Sequence, residues 1–383
     1  MEKIYYLDNA ATTKVFDEVF DIMKECNKDF YNPSASYGKA LQVKKSLDQS
    51  RKTLTDLMRG GQGKLYFTSS ATESNNTVFF GVHLRKGQTV LISKGEHPAV
   101  FNAAHRLEKD GIVVKEIPLK NDGKVDEAEF EKLLDNSVAL VSVIHVSNET
   151  GAVNDIKKLC EITKKFNSKI LFHSDGVQAF GKLKVNLQNL GVDLYTISAH
   201  KIYAPRGIAA LWVKQGVVID AMLVGGGQED GFRSSTENVA GAAALAYSAK
   251  KMIDEMEQNN AKVYEIKCNL LSKLENSDIK DYFVCNSNDE CLPYILSLSF
   301  DKIKGEVLMY SLEADGILIS TGSACSSKKA GNRTLQAMGK SDTEIIGSVR
   351  ISFSPYEEYD VDYIANSIIK NVLRFEKNVM VKK

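Results

Sequence analysis

The chain has 383 residues, enough for one large domain with a smaller companion or for two to three domains. Hydrophobic residues make up 43% and charged residues 26% of the total, a balance typical of soluble globular proteins that excludes collagen-like and low-complexity disordered chains. The 49 basic side chains balance the 49 acidic ones, so no net charge attracts polyanions, and we expect no direct binding of nucleic acid.

Signals for membrane insertion, export and metal binding are missing from the sequence. No apolar run approaches the roughly 18 residues that a membrane span needs. The first residues carry acidic side chains where a signal peptide needs an apolar stretch, so we expect a cytoplasmic protein that does not associate with membranes. The six cysteines have neither C-x-x-C nor paired-histidine spacing, which argues against a disulfide framework and predicts no metal site.

Short β-rich runs alternate with helical periodicity from residue 60 to about residue 215. The predicted strands of this region are 64–67, 89–93, 113–117, 138–144, 169–173, 194–198 and 208–213. The predicted helices between them are 73–84, 99–109, 127–134 and 156–166. Several strands are apolar on both faces, which predicts a mostly parallel sheet covered by helices on each side. In such sheets ligands bind at the carboxyl ends of the strands.

A different pattern begins after a long helical stretch predicted at 236–274. It combines strands with helices in an α+β order, namely strands at 295–300, 317–320 and 349–354 and helices at 305–313 and 360–374. We therefore predict an α/β protein with two domains. Residues 15–255 form the large domain, and residues 1–14 together with 256–383 form the small α+β domain.

Small hydroxyl residues follow the first strand of the predicted sheet and open the next helix, in the run TSSATE at residues 68–73. A helix N-terminus offers unpaired N–H groups and the positive end of the helix dipole, so this run suits a phosphate group. An ordinary N-cap is the alternative, because serine and threonine are preferred there in any helix.

An acid and a lysine follow two neighbouring predicted strands. Asp175 comes just after strand 169–173, and Lys201 comes just after strand 194–198. Beside a phosphate site, pyridoxal phosphate would explain both, with the lysine as its Schiff base and the acid on its pyridinium nitrogen. A surface salt bridge is the alternative, but these residues lie in the most buried part of the pattern, where free charges are unfavourable.

Three further polar residues come after predicted strands. His97 follows strand 89–93, where an imidazole can stack on a flat ring and move protons, although a histidine at a helix start is often structural. Asn148 and Gln178 can donate to a ring oxygen, but lone amides carry little weight.

Cys325 and Arg350 are the candidates in the last part of the chain. Cys325 lies among small residues, in the run STGSACSS at 320–327, next to two lysines, which predicts a mobile, exposed loop with a reactive thiolate. Arg350 lies within strand 349–354, where it can bind a substrate carboxylate with two parallel hydrogen bonds or occupy an ordinary exposed position.

Taken together, these segments resemble the cysteine desulfurases, which are pyridoxal phosphate enzymes of fold type I and aminotransferase class V. The resemblance covers nearly the whole chain and rests on motifs at residues 6–13, 32–34, 71–73, 96–97, 148–151, 198–201, 225–229, 236–238 and 322–325. It implies a homodimer whose large domain, residues 15–255, binds the cofactor.

The resemblance implies a role around the cofactor for most of the candidate residues. Lys201 forms the Schiff base, Asp175 binds the pyridine nitrogen and His97 stacks on the ring. Gln178 lies near the ring hydroxyl group. The phosphate is surrounded by Ala71, Thr72, Ser198 and His200, and by Thr236 of the other subunit.

The resemblance also implies the reaction. Asn148 and Arg350 hold the carboxylate of L-cysteine, which is converted to L-alanine while Cys325 takes the sulfur as a persulfide. Acceptor proteins in iron–sulfur cluster assembly or tRNA thiolation then receive the sulfur. The alternatives are a selenocysteine lyase or another class V aminotransferase, and a non-catalytic sulfur-transfer scaffold.

Among the departures of the chain from the family pattern, two bear on Thr236 and Cys325. The family usually has glycine where this chain has Ser235, next to Thr236. Residues 328–333 replace a stretch that is usually rich in proline and serine.

Overall fold

The computed structural model describes residues 3–322 and 332–380, with side chains described as far as Phe375. The strands are β1 (Tyr5–Tyr6), β2 (Lys64–Thr68), β3 (Thr89–Ser93), β4 (Val113–Ile117), β5 (Val138–Ser142), β6 (Leu171–Asp175), β7 (Leu194–Ser198), β8 (Ala209–Val213), β9 (Phe283–Cys285), β10 (Ile295–Phe300), β11 (Ile317–Leu318) and β12 (Ser348–Ser352). The α-helices are α1 (Asp17–Lys28), α2 (Gly38–Leu57), α3 (Ala71–Gly81), α4 (Pro98–Arg106), α5 (Glu127–Leu133), α6 (Ile156–Phe166), α7 (Leu187–Leu190), α8 (Val239–Asp254), α9 (Met256–Glu275), α10 (Gly305–Ala314), α11 (Arg333–Ala337), α12 (Asp342–Ile346) and α13 (Val361–Met380).

A seven-stranded sheet lies at the centre of the larger part of the protein, in the order β2-β8-β7-β6-β5-β3-β4. The strands from β7 to β4 pair in parallel, whereas β8 runs antiparallel to both β2 and β7. Every residue of β3, β7 and β8 is buried, as expected for strands covered on both faces. The predicted α/β class with a mostly parallel sheet is confirmed.

Alternate residues of the central strands contribute to two apolar clusters, one on each face of the large sheet. In β3, Leu91 belongs to a cluster that includes residues of α2 and α8, whereas Val90 and Ile92 belong to a cluster that includes residues of α3 and α4. Burial on both faces explains why these strands are apolar at nearly every position.

A third apolar cluster lies around the C-terminal strands and the helices α9, α10 and α13. Strands β12, β10 and β9 form an antiparallel sheet in that order. Strand β1 pairs in parallel with β11, so the N-terminal segment joins the C-terminal part of the chain. The division into domains at 15–255 and at 1–14 plus 256–383 stays a prediction.

Three features of the helices and strands differ from the sequence-based prediction. Strand β6 ends at Asp175 rather than at residue 173, so Asp175 belongs to the strand itself. The long predicted helical stretch is two helices, α8 and α9, which are interrupted at Glu255. Helices α1 and α2 were not predicted, because most of their side chains are polar and few are buried.

The topology brings several strand ends together at one edge of the large sheet. Because β2 and β7 are both antiparallel to β8, β2 points in the same direction as the parallel strands. The carboxyl ends of β2, β3, β5, β6 and β7 therefore share one edge, where ligands of such sheets bind. Among the helices described between residues 3 and 380, none is long and apolar enough to cross a membrane.

Candidate active site

A cavity of about 690 Å³ opens at this edge of the sheet, a size typical of sites for small ligands. Ten of the predicted site residues line it, namely Ala71, Thr72, His97, Asn148, Asp175, Gln178, Ser198, His200, Lys201 and Arg350. The N-terminal residues Ala10, Ala11 and Thr12 also line the cavity, which the sequence analysis did not predict.

Lys201 lies in a short 3₁₀ turn, Ala199–Lys201, that directly follows β7. Its Nζ donates hydrogen bonds to the carbonyl oxygens of Ala10, at 2.6 Å, and Ala11, at 2.5 Å. Burial, helped by the positive charge of Arg350, lowers the pKa of Lys201 to about 8. A substantial fraction of its amine is therefore neutral near physiological pH, which suits a nucleophile or a base.

Asp175, the last residue of β6, is 3% exposed, and its carboxylate accepts hydrogen bonds from uncharged groups. Asn75 Nδ2 donates to Oδ2 at 2.8 Å, and the backbone N–H of Val177 donates to Oδ1 at 3.0 Å. Within residues 3–322 and 332–380 the carboxylate forms no salt bridge. A buried carboxylate without a positively charged partner attracts a cationic or protonated group of a ligand.

His97 is the N-cap residue of α4, and its Nδ1 accepts the backbone N–H of Ala99 at 3.1 Å. The proton of the neutral ring is therefore on Nε2. The imidazole lines the cavity, and desolvation by the surrounding protein lowers the pKa of His97. The Asp175 carboxylate opposes this shift, whereas the positive charge of Lys201 adds to it. A neutral, oriented imidazole suits contact with a flat ring.

The N-terminus of α3 contributes unpaired N–H groups to the cavity. Ser70 caps the helix, with its Oγ accepting the N–H of Glu73 at 3.1 Å and its carbonyl oxygen accepting the N–H of Ser74 at 3.1 Å. In the described part of the chain, the N–H groups of Ala71 and Thr72 have no such partner, and both residues line the cavity. An anionic group of a ligand can bind there.

Polar residues after β7 line the same cavity. His200 Nδ1 lies 3.3 Å from Oγ1 of Thr12, and burial lowers the pKa of His200 to about 4, so this imidazole is neutral. Arg206 is exposed at the cavity and adds a positive charge that the sequence analysis did not predict.

Arg350 lies in the middle of β12, and only 8% of its side chain is exposed. Its Nη2 donates to Oδ1 of Asp8 at 2.9 Å and its Nη1 to the carbonyl oxygen of Asn148 at 2.9 Å. Its buried Nε has no hydrogen-bond partner among the described residues. The alternative of an ordinary exposed strand position is therefore excluded, and the guanidinium suits an anionic group of a ligand.

Glu149 connects Asn148 with the two residues that flank the segment 323–331. Its Oε1 accepts Nδ2 of Asn148 at 2.7 Å, and its Oε2 accepts Nδ2 of Asn332 at 2.9 Å. Gly322 lies so close to the carboxylate that a side chain at this position would collide with Oε2. Glu149 was not predicted as a site residue, although it is part of the motif at residues 148–151.

Comparison with known proteins places the chain in a family. The sequence pattern of the family described as aminotransferase class-V matches residues 5–364. The chain belongs to the aminotransferase class-V family. A cysteine desulfurase IscS from Dictyoglomus turgidum is 34% identical over 369 residues, which cover 95% of this chain and 93% of that protein.

Two solved structures are also similar to this chain in their fold. A NifS-like protein is 31% identical, with a TM-score of 0.90 over 97% of this chain and 100% of its own. The structure of SspA in complex with cysteine is 28% identical, with a TM-score of 0.79 over 93% of this chain and 100% of its own. The predicted resemblance is confirmed, and the relatives support a cysteine desulfurase function in sulfur transfer.

Of the two remaining predicted site residues, one lies outside the cavity and the other lies outside the described residues. Thr236 is exposed and lies in a separate pocket of about 50 Å³, which shares Ser69, Gly207 and Ile208 with the cavity. Its assignment to the phosphate of the other subunit stays a prediction. Cys325 lies in the segment 323–331, outside the described residues, and its role also stays a prediction.

Four of the five described cysteines have a thiol whose pKa is raised by burial. Burial raises the pKa of Cys160 to about 12 and also raises the pKa of Cys26, Cys285 and Cys291. These four side chains are therefore protonated near neutral pH. In the ranges 3–322 and 332–380, no group of three or more His, Cys, Asp or Glu side chains could hold a metal ion.

Ser235, the residue before Thr236, has a backbone φ of +146°. Because side chains disfavour this conformation, we expect Ser235→Gly to raise the free energy of unfolding by about 1 kcal/mol, the relief of strain exceeding the extra freedom of glycine in the unfolded chain. The midpoint of urea denaturation measures the change.

Ser234→Gly is the matched control for this prediction. Ser234 is buried, has no positive φ, and its Oγ accepts the N–H of Gly227 at 3.4 Å, so its replacement by glycine should lower stability. A lower denaturation midpoint for Ser235→Gly than for the unaltered protein would contradict the strain at this position.

Proposed function

We propose that the protein is a pyridoxal phosphate-dependent cysteine desulfurase, which converts L-cysteine to L-alanine and passes the sulfur to acceptor proteins. The main support is one cavity that gathers a lysine amine of lowered pKa, a buried carboxylate with neutral partners and an open helix N-terminus. L-Cysteine as the substrate is supported by the solved relative SspA in complex with cysteine.

The residues around the cavity fit pyridoxal phosphate. The N–H groups of Ala71 and Thr72 would bind the phosphate, Asp175 would bind the protonated ring nitrogen, and Lys201 would bond to the aldehyde carbon. The neutral imidazole of His97 would contact the ring. When bound, the cofactor would supply an electron sink for the negative charge that develops at the substrate Cα.

Proton transfer is assigned to Lys201 and substrate orientation to two residues across the cavity. When it is not bonded to the cofactor, Nζ of Lys201 has a pKa near 8 and would take the proton from Cα. Arg350 and Asn148 would hold the substrate carboxylate and so restrict the substrate to one orientation. Asp175 would hold a proton on the ring nitrogen throughout.

Sulfur transfer is assigned to Cys325. Its thiolate would form an S–S bond with the substrate sulfur while the Cβ–S bond breaks, which oxidises the sulfur and reduces Cβ. The carbon skeleton keeps the electron pair of the broken bond, gains a proton and leaves as alanine. Cys325 is left as a persulfide, from which acceptor proteins in iron–sulfur cluster assembly or tRNA thiolation take the sulfur.

The proposal includes that the protein forms a homodimer. Thr236 is exposed and lies outside the cavity of its own chain, which supports its assignment to the phosphate of a partner subunit. The pocket around Thr236 adjoins the cavity through Gly207 and Ile208, so a contact between subunits at this place would connect two sites.

Incubation with sulfur-labelled L-cysteine tests the proposed function. The unaltered protein should form alanine and carry labelled sulfur on its own chain. Cys325→Ser should keep the visible absorbance of bound cofactor but carry no label, because serine cannot form a persulfide. Cys26→Ser is the control and should retain the label, since Cys26 is a helix thiol of raised pKa.

Three outcomes would contradict parts of this proposal. Labelled sulfur on Cys325→Ser would remove the sulfur-accepting role of Cys325. Full turnover without Cys325 would favour a selenocysteine lyase or another class V aminotransferase. A colourless purified protein that forms no alanine would favour a non-catalytic scaffold.

A further inference from the structure

Lys182 is a buried lysine to which the proposed reaction gives no role. The residue is 3% exposed, it forms no salt bridge within the described residues, and its Nζ lies 5.4 Å from the centre of the Tyr294 ring. Burial and the positive charge of Lys201 lower the pKa of Lys182 to about 7. A buried amine without a carboxylate partner is unfavourable for the folded state, so its remaining contact needs an explanation.

That contact is with Gln178, one of the residues that line the cavity. Nζ of Lys182 donates to Oε1 of Gln178 at 3.1 Å, and Nε2 of Gln178 donates to the carbonyl oxygen of Ala10 at 3.0 Å. In its protonated form the Lys182 amine only donates, and a carbonyl oxygen only accepts. If the amide were turned over, donor would face donor at Lys182 and acceptor would face acceptor at Ala10, so both contacts select the same orientation.

The orientation of the amide decides what Gln178 offers to the cavity. Its oxygen is held by Lys182, and one of the two Nε2 hydrogens is used by Ala10. Because Gln178 lines the cavity, its second N–H is the group available to a ligand. Such a donor matches the ring oxygen of pyridoxal phosphate, which is an acceptor when ionised.

The same contacts join two lysines. The carbonyl oxygen of Ala10 accepts Nζ of Lys201 at 2.6 Å in addition to Nε2 of Gln178. Lys182, Gln178, Ala10 and Lys201 therefore form one connected set of hydrogen bonds behind the cavity. Polarisation passes along connected hydrogen bonds, so a cation at one end strengthens the N–H donor further along.

We propose that Lys182 is a positioning residue of the cofactor site, which orients and polarises the Gln178 amide so that its N–H faces the ring oxygen of pyridoxal phosphate. This inference rests on the proposed function. Lys182 acts through Gln178 and itself does not line the cavity.

The dissociation constant of pyridoxal phosphate tests the inference. Full-length protein, freed of cofactor by dialysis against hydroxylamine, is titrated with pyridoxal phosphate and followed by visible absorbance. We expect Lys182→Met to raise the dissociation constant about tenfold, and Gln178→Ala at least as much. Because Lys182 acts through Gln178, the double variant should bind as weakly as Gln178→Ala alone.

Two further variants separate this role from a general effect of a lost charge. Lys184→Met is the matched control, since Lys184 is 80% exposed and pairs with Glu257 at the surface, and its dissociation constant should be unchanged. Lys182→Gln keeps a neutral donor, so its dissociation constant should lie between those of the unaltered protein and Gln178→Ala. It serves as the test if the methionine variant does not fold.

The outcomes distinguish the inference from the proposed function. An unchanged dissociation constant in Lys182→Met or Lys182→Gln, or effects that multiply in the double variant, would overturn the positioning role alone. Failure of the unaltered protein to bind pyridoxal phosphate would overturn both. A lowered melting temperature of the cofactor-free Lys182→Met protein with unchanged cofactor binding would assign Lys182 to the fold and overturn the inference.

Discussion

Replacement of Lys201 by alanine is expected to lower the rate of alanine formation from L-cysteine by about 10²–10⁴-fold. The amine lies in the cavity, and burial lowers its pKa to about 8, so the substitution removes both the base and the nucleophile from the site. Alanine formation at a fixed amount of bound cofactor measures the loss. A second measurement is the cofactor that remains on the chain after borohydride reduction followed by denaturation, which should fall to background.

Lys201→Arg separates the charge of Lys201 from its chemistry. A guanidinium group keeps its proton at neutral pH, so arginine can still donate to the carbonyl oxygens of Ala10 and Ala11 but cannot act as a base. We expect this variant to be as inactive as Lys201→Ala. Lys184→Ala, a change at the exposed surface, should leave the rate unaltered. A rate near that of the unaltered protein in either Lys201 variant would remove Lys201 from the chemistry.

Many of the residues that line the cavity could be predicted from the sequence, because ligands bind at the carboxyl ends of parallel strands. It located Asp175 and Lys201 because their strands are apolar and buried, so that a charged residue at the end of each strand stands out. The two-residue error at the end of β6 did not matter, since Asp175 remained at the same edge of the sheet. The roles of these residues stay predictions.

The residues that orient the predicted ones could not be found in this way. Asn75 contacts Asp175 across 100 positions of the chain, and Asp8 contacts Arg350 across 342 positions. An asparagine within a helix or an aspartate near the N-terminus has no local feature that distinguishes it from a surface residue. Such contacts depend on how the elements pack, which hydrophobic periodicity does not specify.

The segment at residues 8–13 shows how packing completes the site. The N–H of Ala10 donates to Oγ of Ser352 at 2.8 Å, which ties the segment to the C-terminal antiparallel sheet. The carbonyl oxygen of Ala10 accepts hydrogen bonds from Lys201 and Gln178, which follow strands β7 and β6 of the large sheet. The position of Lys201 relative to Arg350 therefore depends on this short segment, whose motif alone did not predict these contacts.

The substitution Asp175→Asn is expected to slow alanine formation by about 10- to 10³-fold. A carboxylate beside a ring nitrogen raises the pKa of that nitrogen by about 1–3, so its replacement by an amide leaves a smaller fraction of the bound cofactor protonated. The side chain also loses an acceptor, because Asp175 accepts hydrogen bonds from both Asn75 and Val177. The rate with saturating pyridoxal phosphate measures the effect, and the melting temperature measures the loss of the hydrogen bond.

Exchange of the two partners, Asn75→Asp together with Asp175→Asn, separates the charge from the hydrogen bond. One amide and one carboxylate remain in contact, so the melting temperature should recover towards that of the unaltered protein. The charge has moved from β6 to α3, so alanine formation should stay slow. Asp193→Asn is the control. Asp193 directly precedes β7, and its buried carboxylate pairs with Lys164 of α6, so this substitution should lower stability without slowing the reaction. If the exchanged variant regained the full rate, a negative charge nearby would suffice, and Asp175 would no longer be the direct partner of the ring nitrogen.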